Sequence, residues 1–264
     1  MSAPLTVIKT LHDWNIWRAS LSFEASLGFV PTMGALHDGH RSLIERSVRE
    51  NAKTVVSVFV NPTQFDERAD LEAYPRTFEA DRALVASLGA DVLFFPAERE
   101  LYPNGYVYKV AETELSQRFC GAHRPGHFNG VLTIVMKLFG IVRPTRAYFG
   151  EKDFQQLELV DGMVREFFLP IEIVRCPTIR ESSGLALSSR NTRLSASNRE
   201  KATQFSLLLR SDLTDFDTRT ELKRMGFRVD YVETFRGRRL GAVRIGDVRL
   251  IDNVLLERRS DRVQ

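Results

Sequence analysis

The sequence predicts an α/β protein, with a Rossmann-like, doubly wound parallel sheet followed by a small α+β domain. Up to about residue 180, short runs of β-branched and aromatic residues alternate with stretches of helical period. This alternation is typical of a parallel sheet covered by helices on both faces. After Asn191, a helical stretch leads into three short strand-like runs. We therefore expect one domain over residues 1–185 and a smaller one over residues 186–264.

Five runs are predicted to form the strands of the parallel sheet. The clearest is residues 54–60, TVVSVFV, where β-branched residues dominate without a clean alternation of apolar and polar positions. A strand that is buried on both faces has this composition. In chain order, the predicted strands are residues 28–31, 54–60, 91–95, 146–149 and 171–174.

Helical patterns fill the intervals between these strands. Apolar residues recur three or four positions apart around Ile44, Leu84 and Val160. Gly89 follows the second of these stripes, in the position of a helix terminator. Residues 131–142 are apolar nearly all round, which is typical of a buried helix. The predicted C-terminal elements are a helix near residues 196–213 and strands at residues 228–234, 240–245 and 248–251.

The composition is globular and argues against several classes of protein. Hydrophobic residues make up 43% and charged residues 27% of the chain, unlike disordered or collagen-like sequences. The longest nearly apolar run, residues 130–142, is shorter than the roughly 20 residues that a membrane-spanning helix needs. The N-terminus has no export signal, and Cys120 and Cys176 stand alone, as free core thiols do. We expect a cytoplasmic protein that contacts no membrane.

Charge is unevenly distributed along the chain. The net charge is +3, but residues 218–264 hold twelve Lys or Arg against seven Asp or Glu. A basic tail can bind nucleic acid through phosphates, or it can be a solvated face or meet a small anionic substrate. The tail lacks the interleaved aromatic and basic residues of RNA-binding segments. We therefore favour a solvated face, or one that meets a small anionic substrate, and expect no nucleic-acid partner.

The candidate chemistry begins directly after the first predicted strand, in VPTMGALHDGH, residues 30–40. Gly34 and Gly39 have Walker A spacing, but His40 stands where that motif needs a lysine, and no G-x-G-x-x-G occurs. A strand-to-helix turn of a parallel sheet presents backbone N–H groups and a helix N-terminus to phosphate. His37 and His40 project to one side of the first turn and can stabilise charge on a phosphate. The alternatives are a metal pair, for which a third ligand is missing nearby, or two surface histidines.

This segment resembles the H-x-G-H signature of the nucleotidylyltransferase superfamily, and its context resembles the pantoate–β-alanine ligase (pantothenate synthetase) family. The matching segments, in the expected order, are PTMGALHDGH (31–40), FVNPTQF (59–65), YPRT (74–77), RPGHFNGV (124–131), FGEKDFQQL (149–157), GLALSSRN (184–191) and RLIDN (249–253). The resemblance implies a homodimer that condenses pantoate with β-alanine. It also implies a pantoyl-adenylate intermediate made from ATP, with release of pyrophosphate and then AMP.

The resemblance further implies a set of site residues. It assigns ATP contacts to Met33, Gly34, Ala35, Leu36, His37, Asp38, Gly39, His40, Gly150, Glu151, Lys152, Asp153, Ile179, Leu187, Ser188, Ser189 and Arg190. It assigns catalysis to His37, His40, Lys152 and Arg190, with His40 as the general acid for the departing pyrophosphate. Gln64 and Gln156 are assigned to pantoate, and Gln64 also to β-alanine.

The residue types suit this chemistry. Adenylation of a carboxylate mainly requires positioning and the neutralisation of growing charge, for which Lys152 and Arg190 are suitable cations. The amides of Asn61, Gln64 and Gln156 can donate to and accept from a small hydroxy acid. We also expect Asp81 to help carry Mg²⁺ with the ATP phosphates.

Two questions stay open at the level of sequence. Arg124 and His127 lie in a turn where they can meet pantoate or cap the following helix. Two positions also depart from the family pattern. Ser183 stands in the place of the usual Asp of the Asp-Gly pair, where it can cap the loop without charge. The region between Val232 and Leu240 is short, which predicts either a cover that leaks adenylate or the loss of a distant surface loop.

Two other functions fit parts of the pattern. Another nucleotidylyltransferase, with a phosphorylated acceptor, would need more cations in its acceptor pocket than the amides Gln64 and Gln156 provide. A nucleotide- or RNA-binding module without turnover would rest only on the basic tail and the superfamily fold.

Overall fold

The computed structural model describes residues 4–256, so the last eight residues of the basic tail lie outside the described part. The chain divides into two compact units, Met1–Pro177 and Thr178–Gln264. Among the described residues, none of the helices combines the length and apolar character needed to cross a bilayer.

The first unit contains six strands and eight α-helices within the described residues. The strands are β1 (Thr6–Ile8), β2 (Leu27–Thr32), β3 (Lys53–Val58), β4 (Val92–Phe94), β5 (Arg146–Gly150) and β6 (Glu172–Cys176). The helices are α1 (Leu11–Ala19), α2 (Asp38–Glu50), α3 (Arg68–Glu72), α4 (Phe78–Ser87), α5 (Glu98–Leu101), α6 (Cys120–His123), α7 (His127–Val142) and α8 (Phe154–Glu166).

The six strands form one parallel sheet in the order β1-β4-β3-β2-β5-β6. Phe29 of β2 lies opposite Val55 on one neighbour and Ala147 on the other. From β2 the chain proceeds outward to β3 and β4 on one side, and β5 and β6 lie on the other. The strand order therefore reverses between β2 and β5. In open α/β sheets the crevice beyond the carboxyl ends of such a pair is where ligands bind.

Helices cover both faces of this sheet, which confirms the doubly wound prediction. On one face, Val30 and Val56 pack in a core with Ile44 of α2 and Val85 of α4. On the other, the Phe29 ring lies 6.4 Å from that of Phe139 in α7. Burying these branched and aromatic side chains on both faces stabilises the sheet and makes its strands read as continuous apolar runs.

All five predicted strands are confirmed, but the sequence patterns did not predict β1. This strand has only three residues and lies at the edge of the sheet, paired with β4, so no periodic pattern marks it. Gly89 follows the end of α4 with φ +78°, a backbone conformation that favours glycine, as expected for a helix terminator.

The second unit is the predicted α+β structure. Its elements are α9 (Ala196–Leu209), α10 (Asp215–Arg224), β7 (Arg228–Phe235), β8 (Arg238–Ile245) and β9 (Val248–Leu255). The three strands form an antiparallel sheet in the order β7-β8-β9. The short segment between Val232 and Leu240 is a tight hairpin, because Arg236 and Gly237 both have positive φ, as a two-residue turn requires.

The units divide earlier than the predicted boundary after residue 185. Leu185 is 3% exposed and belongs to the core of the second unit. Arg180 pairs with Asp252 of β9 through two hydrogen bonds of 2.7 and 2.8 Å. These long-range contacts place residues 178–185 in the second unit, and no local pattern in the sequence could report them.

Candidate active site

The loop between β2 and α2 lies at the switch point of the sheet. Two successive residues in it have left-handed backbones, Gly34 with φ +82° and Ala35 with φ +50°. Thr32 ties the start of the loop to β3, since its hydroxyl donates to the Ser57 carbonyl at 2.7 Å and accepts from the Gly34 N–H at 3.2 Å. The loop therefore turns sharply from the sheet edge into the first turn of α2.

The two histidines of the H-x-G-H motif cap the start of α2. His37 Nδ1 accepts from the Gly39 N–H at 3.1 Å, and His40 Nδ1 accepts from the His37 N–H at 3.3 Å. Their ring centroids are 4.2 Å apart. Because Nδ1 is the acceptor in each neutral ring, the proton lies on Nε2. Each histidine thus keeps one further hydrogen-bond donor, its Nε2–H group.

Both imidazoles are uncharged at neutral pH. Burial, together with the charge of Lys152 and against the charges of Asp153 and Asp38, lowers the pKa of His37 to about 4. Burial lowers the pKa of His40 to about 3, with smaller contributions from His37 and Lys152. At pH 7, His40 is therefore a neutral N–H donor, which differs from the imidazolium expected of a general acid.

Lys152 joins the histidines at the switch point. It lies in the 3₁₀ turn Glu151–Asp153, which follows Gly150, the last residue of β5. Its ammonium is 3.8 Å from the Asp153 carboxylate, and its charge acts on both histidines. The structure thus brings together the ends of β2 and β5, as the parallel topology requires. Asp38, the first residue of α2, is exposed and forms a 3.5 Å ion pair with Arg41.

Gln64 lies beside this loop, in the 3₁₀ turn Pro62–Gln64 that follows β3. Its Nε2 is 3.0 Å from the sulfur of Met33. The turn packs tightly on α7, since a Cβ at Gly130 would lie 2.3 Å from the Thr63 carbonyl oxygen. Only a glycine permits this approach, which explains Gly130, the second glycine of the RPGHFNGV segment, in physical terms.

Asn61 was predicted to bind substrate, and the structure gives it a different role. It is 1% exposed, and its carboxamide is fully engaged inside the protein. Its Nδ2 donates to Gln64 Oε1 and to the Gly130 carbonyl, both at 3.1 Å, while its Oδ1 accepts from Thr63 and Tyr102 hydroxyls. Asn61 therefore orients the Gln64 amide, whose Nε2 lies against the Met33 sulfur.

Arg124 and His127 both bind the backbone of Gln64. His127 Nδ1 donates to the Gln64 carbonyl at 2.7 Å, and the Arg124 guanidinium donates to the same oxygen at 3.1 Å. Arg124 is held in turn by Asp66 at 2.7 Å. The N-cap of α7 is Gly126, and the side chains of Arg124 and His127 both contact the Gln64 carbonyl.

Neighbouring glutamines at the start of α8 have opposite environments. Gln155 is buried and binds the backbone of the preceding segment, donating to the Leu115 and Arg118 carbonyls and accepting from the Cys120 N–H. Gln156, the predicted substrate ligand, is half-buried and makes no side-chain hydrogen bond to the described part of the chain. Gln155 was not singled out from the sequence. Gln155 and Gln156 are the same residue type, and only their positions on the helix distinguish the buried one from the half-buried one.

Asp81 was predicted to help carry Mg²⁺, and in the structure its carboxylate binds the backbone of the loop. It is 3% exposed, and its two carboxylate oxygens accept from the backbone N–H groups of Ala35 and Leu36 at 3.0 and 2.8 Å. Over residues 4–256, no cluster of three His, Cys, Asp or Glu side chains is arranged to hold a metal ion. Asp81 serves the loop, because its oxygens are already occupied by backbone donors.

The remaining predicted ATP residues lie in the second unit, on a hairpin and the turn after it. The Leu187 N–H donates to the Ile179 carbonyl at 3.0 Å, and Arg180 bridges Ala186. Ser188 caps the 3₁₀ helix Ser189–Arg193 by accepting from the Arg190 N–H at 3.3 Å. The hairpin thus places Leu187 opposite Ile179, and Ser188, Ser189 and Arg190 follow Leu187 directly along the chain.

This stretch is braced from within the second unit. Asn191 is 4% exposed and donates to the Ala186 carbonyl at 3.0 Å. The Arg180–Asp252 pair holds the base of the hairpin, and Ser206 donates to the same carboxylate at 2.7 Å. Ser183, expected to cap the loop, makes only a 3.5 Å contact to the Leu185 N–H, at the limit of a hydrogen bond. The brace therefore comes from Asp252 and Asn191.

Comparison with known proteins gives one consistent result. The sequence model described as Pantoate-beta-alanine ligase matches residues 6–255. The pantothenate synthetase of Legionella pneumophila (strain Corby) is 54% identical over 252 residues, which are 96% of this chain and all of that protein. The pantothenate synthetase of Bdellovibrio bacteriovorus is 50% identical over 248 residues, 94% of this chain and 98% of that protein.

Solved structures agree with these relatives. A pantoate-beta-alanine ligase from Francisella tularensis, complexed with beta-gamma ATP and beta-alanine, matches with a TM-score of 0.90 and 41% identity over 95% of this chain and 97% of that chain. A pantothenate synthetase from Thermus thermophilus matches with a TM-score of 0.87 and 42% identity over 94% and 98%. Since the match covers the whole Legionella protein, the short C-terminal region does not distinguish this chain from that relative.

Proposed function

The chain belongs to the pantoate-beta-alanine ligase family, and we infer that it condenses pantoate with β-alanine at the expense of ATP. One observation on the chain's own residues supports this function. His37, His40 and Lys152 lie together at the switch point of the parallel sheet. Two neutral N–H donors beside one ammonium suit a polyphosphate, because these groups can stabilise its negative charge directly.

The reaction proceeds in two steps through a pantoyl-adenylate. In the first, a pantoate carboxylate oxygen attacks the α-phosphorus of ATP, and the bond from that phosphorus to the bridging oxygen of pyrophosphate breaks. In the second, the β-alanine amine attacks the acyl carbon, AMP leaves, and the nitrogen loses its extra proton. Both steps chiefly need alignment and charge stabilisation, which a rigid site provides.

His37 and His40 act on the phosphates by hydrogen bonding. Their Nδ1 atoms are occupied by backbone donors, so only the Nε2–H groups remain to donate to a phosphate. Lys152 neutralises the charge that grows on the departing pyrophosphate. This assignment replaces the proton transfer first expected of His40, because its low pKa leaves it uncharged at neutral pH. Residues 33–39 and 150–153 contact ATP from the same edge of the sheet, with the Ala35 and Leu36 N–H groups bound to Asp81 and not to the phosphates.

Gln64 and Gln156 bind pantoate. Gln64 is supported for this role because Asn61 fixes its amide beside Met33, in the loop that carries the histidines. Gln156 is supported by its half-buried side chain at the start of α8. In the second unit, Ile179, Leu187, Ser188, Ser189 and Arg190 contact ATP, with the Arg190 fork suited to phosphate oxygens. Mg²⁺ enters with the ATP phosphates, and no step is assigned to a protein-bound metal.

The enzyme works in the cytoplasm, where ATP is available, and as a homodimer. Segment 103–109 supports the dimer, since it is exposed throughout and carries Val107 at 74% and Tyr108 at 80% exposure. Exposed apolar side chains grouped on one segment are a common contact between copies of a chain.

Pyrophosphate–ATP exchange tests the function directly. With a panel of acids, exchange should require pantoate, and AMP should accumulate in a coupled assay only when β-alanine is also present. Exchange that ignores pantoate would indicate another nucleotidylyltransferase. Salt-dependent RNA binding without turnover of ATP would indicate a binding module.

A further inference from the structure

The loop that carries the histidines is held in an unfavourable backbone conformation. Gly34 and Ala35 are successive left-handed residues, and Ala35 has a Cβ that disfavours this region. Such a conformation persists only where surrounding contacts hold it in place. The loop ends at His37, the N-cap of α2, so the path of residues 34–36 sets where both histidine rings lie.

Asp81 supplies the contacts that hold this loop. Its Oδ2 accepts from the Ala35 N–H at 3.0 Å and its Oδ1 from the Leu36 N–H at 2.8 Å. The Thr77 hydroxyl donates to Oδ2 at 3.1 Å. Consecutive backbone N–H groups of this kind form a small anion-binding concavity. Here the protein fills the concavity with its own carboxylate, so these two donors are not available to phosphate.

The packing around Asp81 leaves the loop little freedom. A Cβ at Gly34 would lie 2.9 Å from Asp81 Oδ2 and 3.0 Å from a methyl group of Val58. The carboxylate, the loop and β3 are therefore in direct contact. Displacing the carboxylate would release Ala35 toward ordinary backbone angles and carry His37 and His40 with it.

We propose that Asp81 is a positioning residue for the reaction, which fixes the His37 and His40 donors through the backbone of Ala35 and Leu36. The inference rests on the proposed function, because it assumes that the two histidines bind the phosphates. A carboxylate is needed since it presents two acceptors to two donors. An amide of the same shape would set an NH₂ group against one of the N–H groups.

The first test is Asp81→Asn. We expect pantoate-dependent pyrophosphate–ATP exchange to fall by about 10- to 100-fold, because one buried backbone donor loses its acceptor. The pantoate KM should change by less than about threefold, since Gln64 is held by other contacts. Glu79→Gln is the matched control, a carboxyl in the same helical turn whose side chain is 76% exposed. It should retain the parental rate.

A rescue experiment separates positioning from general damage. Because glycine reaches positive φ without the penalty of a Cβ, Ala35→Gly should restore part of the rate lost in Asp81→Asn. The histidine resonances, assigned with His37 and His40 variants, give a second readout. In Asp81→Asn both titrations should move up toward 6.5 as the loop opens, and in Glu79→Gln they should not.

Either of two results would overturn the inference. One is an Asp81→Asn enzyme with the parental exchange rate, and the other is a rate loss with no rescue by Ala35→Gly and no change in histidine titration. If Asp81→Asn fails to fold, Thr77→Val removes only the third hydrogen bond. That variant should lower exchange by a few-fold at unchanged pantoate KM, and an unchanged rate contradicts the proposal. Absence of pantoate-dependent exchange in the parent protein would instead refute the function itself.

Discussion

Each unit has one loop that is predicted to bind ATP. A buried carboxylate holds each loop in place, but the two carboxylates bind different groups. Asp81 binds the backbone N–H groups of Ala35 and Leu36 directly. Asp252 binds the guanidinium of Arg180, which then holds the base of its hairpin. Asp81 is 3% exposed and Asp252 is 3% exposed, so burial alone does not distinguish them.

The two carboxylates differ in the kind of partner that would lose its acceptor if the carboxylate were removed. Without Asp81, two neutral N–H groups lose their acceptors and a strained loop can relax. Without Asp252, a positive charge stays in a largely buried position, which is far more costly. The first carboxylate therefore controls the geometry of a loop, whereas the second controls the stability of a unit. The predictions below test this contrast.

The largest effect is expected at the buried ion pair. Asp252→Ala should lower the free energy of unfolding by about 3–5 kcal/mol, because it strands the Arg180 charge. Urea unfolding followed by far-UV circular dichroism measures this loss. The double variant Arg180→Met with Asp252→Leu should recover much of it, since neither charge remains buried. A single variant as stable as the parent would remove the distinction drawn between the two carboxylates.

His40→Ala should have the next largest effect, on rate instead of stability. Loss of one preorganised donor to a transition-state charge typically costs about 10²–10³ in rate, or about 2.7–4 kcal/mol. ATP binding should stay nearly intact, because Lys152 and the loop backbone remain. Single-turnover formation of the adenylate is the measurement. If adenylation proceeds at the parental rate, His40 has no part in the mechanism.

Gln64→Leu should damage the use of pantoate more than the binding of ATP. The apolar replacement leaves the acid's polar groups without partners, at a cost of about 1–3 kcal/mol. It also leaves Asn61 Nδ2 with one acceptor fewer. The pantoate KM and rate should be compared with ATP affinity in the same variant. Equal damage to both would point to a folding defect, and unchanged pantoate kinetics would place Gln64 outside the pocket.

The smallest effect is a pH dependence of stability confined to the first unit, which holds all five histidines of the chain. Burial lowers the pKa of His37 to about 4 and of His40 to about 3, below the unfolded value of 6.5. The unfolded chain therefore takes up protons first, and stability present above pH 6.5 is lost as the pH falls toward these values. We expect about 1 kcal/mol per histidine between roughly pH 7.5 and 5.5.

Both tryptophans, Trp14 and Trp17, lie in α1 of the first unit, so their fluorescence during urea unfolding reports this loss. His40→Gln should flatten the dependence by about half, since one of the two buried imidazoles is removed. An equal dependence in the variant and the parent would show that His40 is protonated alike in the folded and unfolded chains.

Local patterns along the chain were enough to predict the sheet, the position of the H-x-G-H turn and the family. Runs such as residues 54–60 and the glycine after α4 depend on periodicity and backbone preference, which neighbouring residues record directly. The carboxyl ends of parallel strands meet at one edge of the sheet once the elements are known. For this reason the position of Lys152 after a predicted strand already indicates that it lies near the histidines.

Long-range contacts, in contrast, determine how the site residues are supported. Asp81 binds the loop from 46 positions away, and Arg124 binds the Gln64 carbonyl from 60 positions away. Asn61 is held inward by Tyr102 and Gly130, which lie 41 and 69 positions along the chain. Whether a polar side chain faces a ligand or a buried backbone group depends on what packs beside it, and residue type or spacing does not record this. The edge strand β1 and the division at residue 177 escaped prediction similarly, because both are defined by contacts between distant parts of the chain.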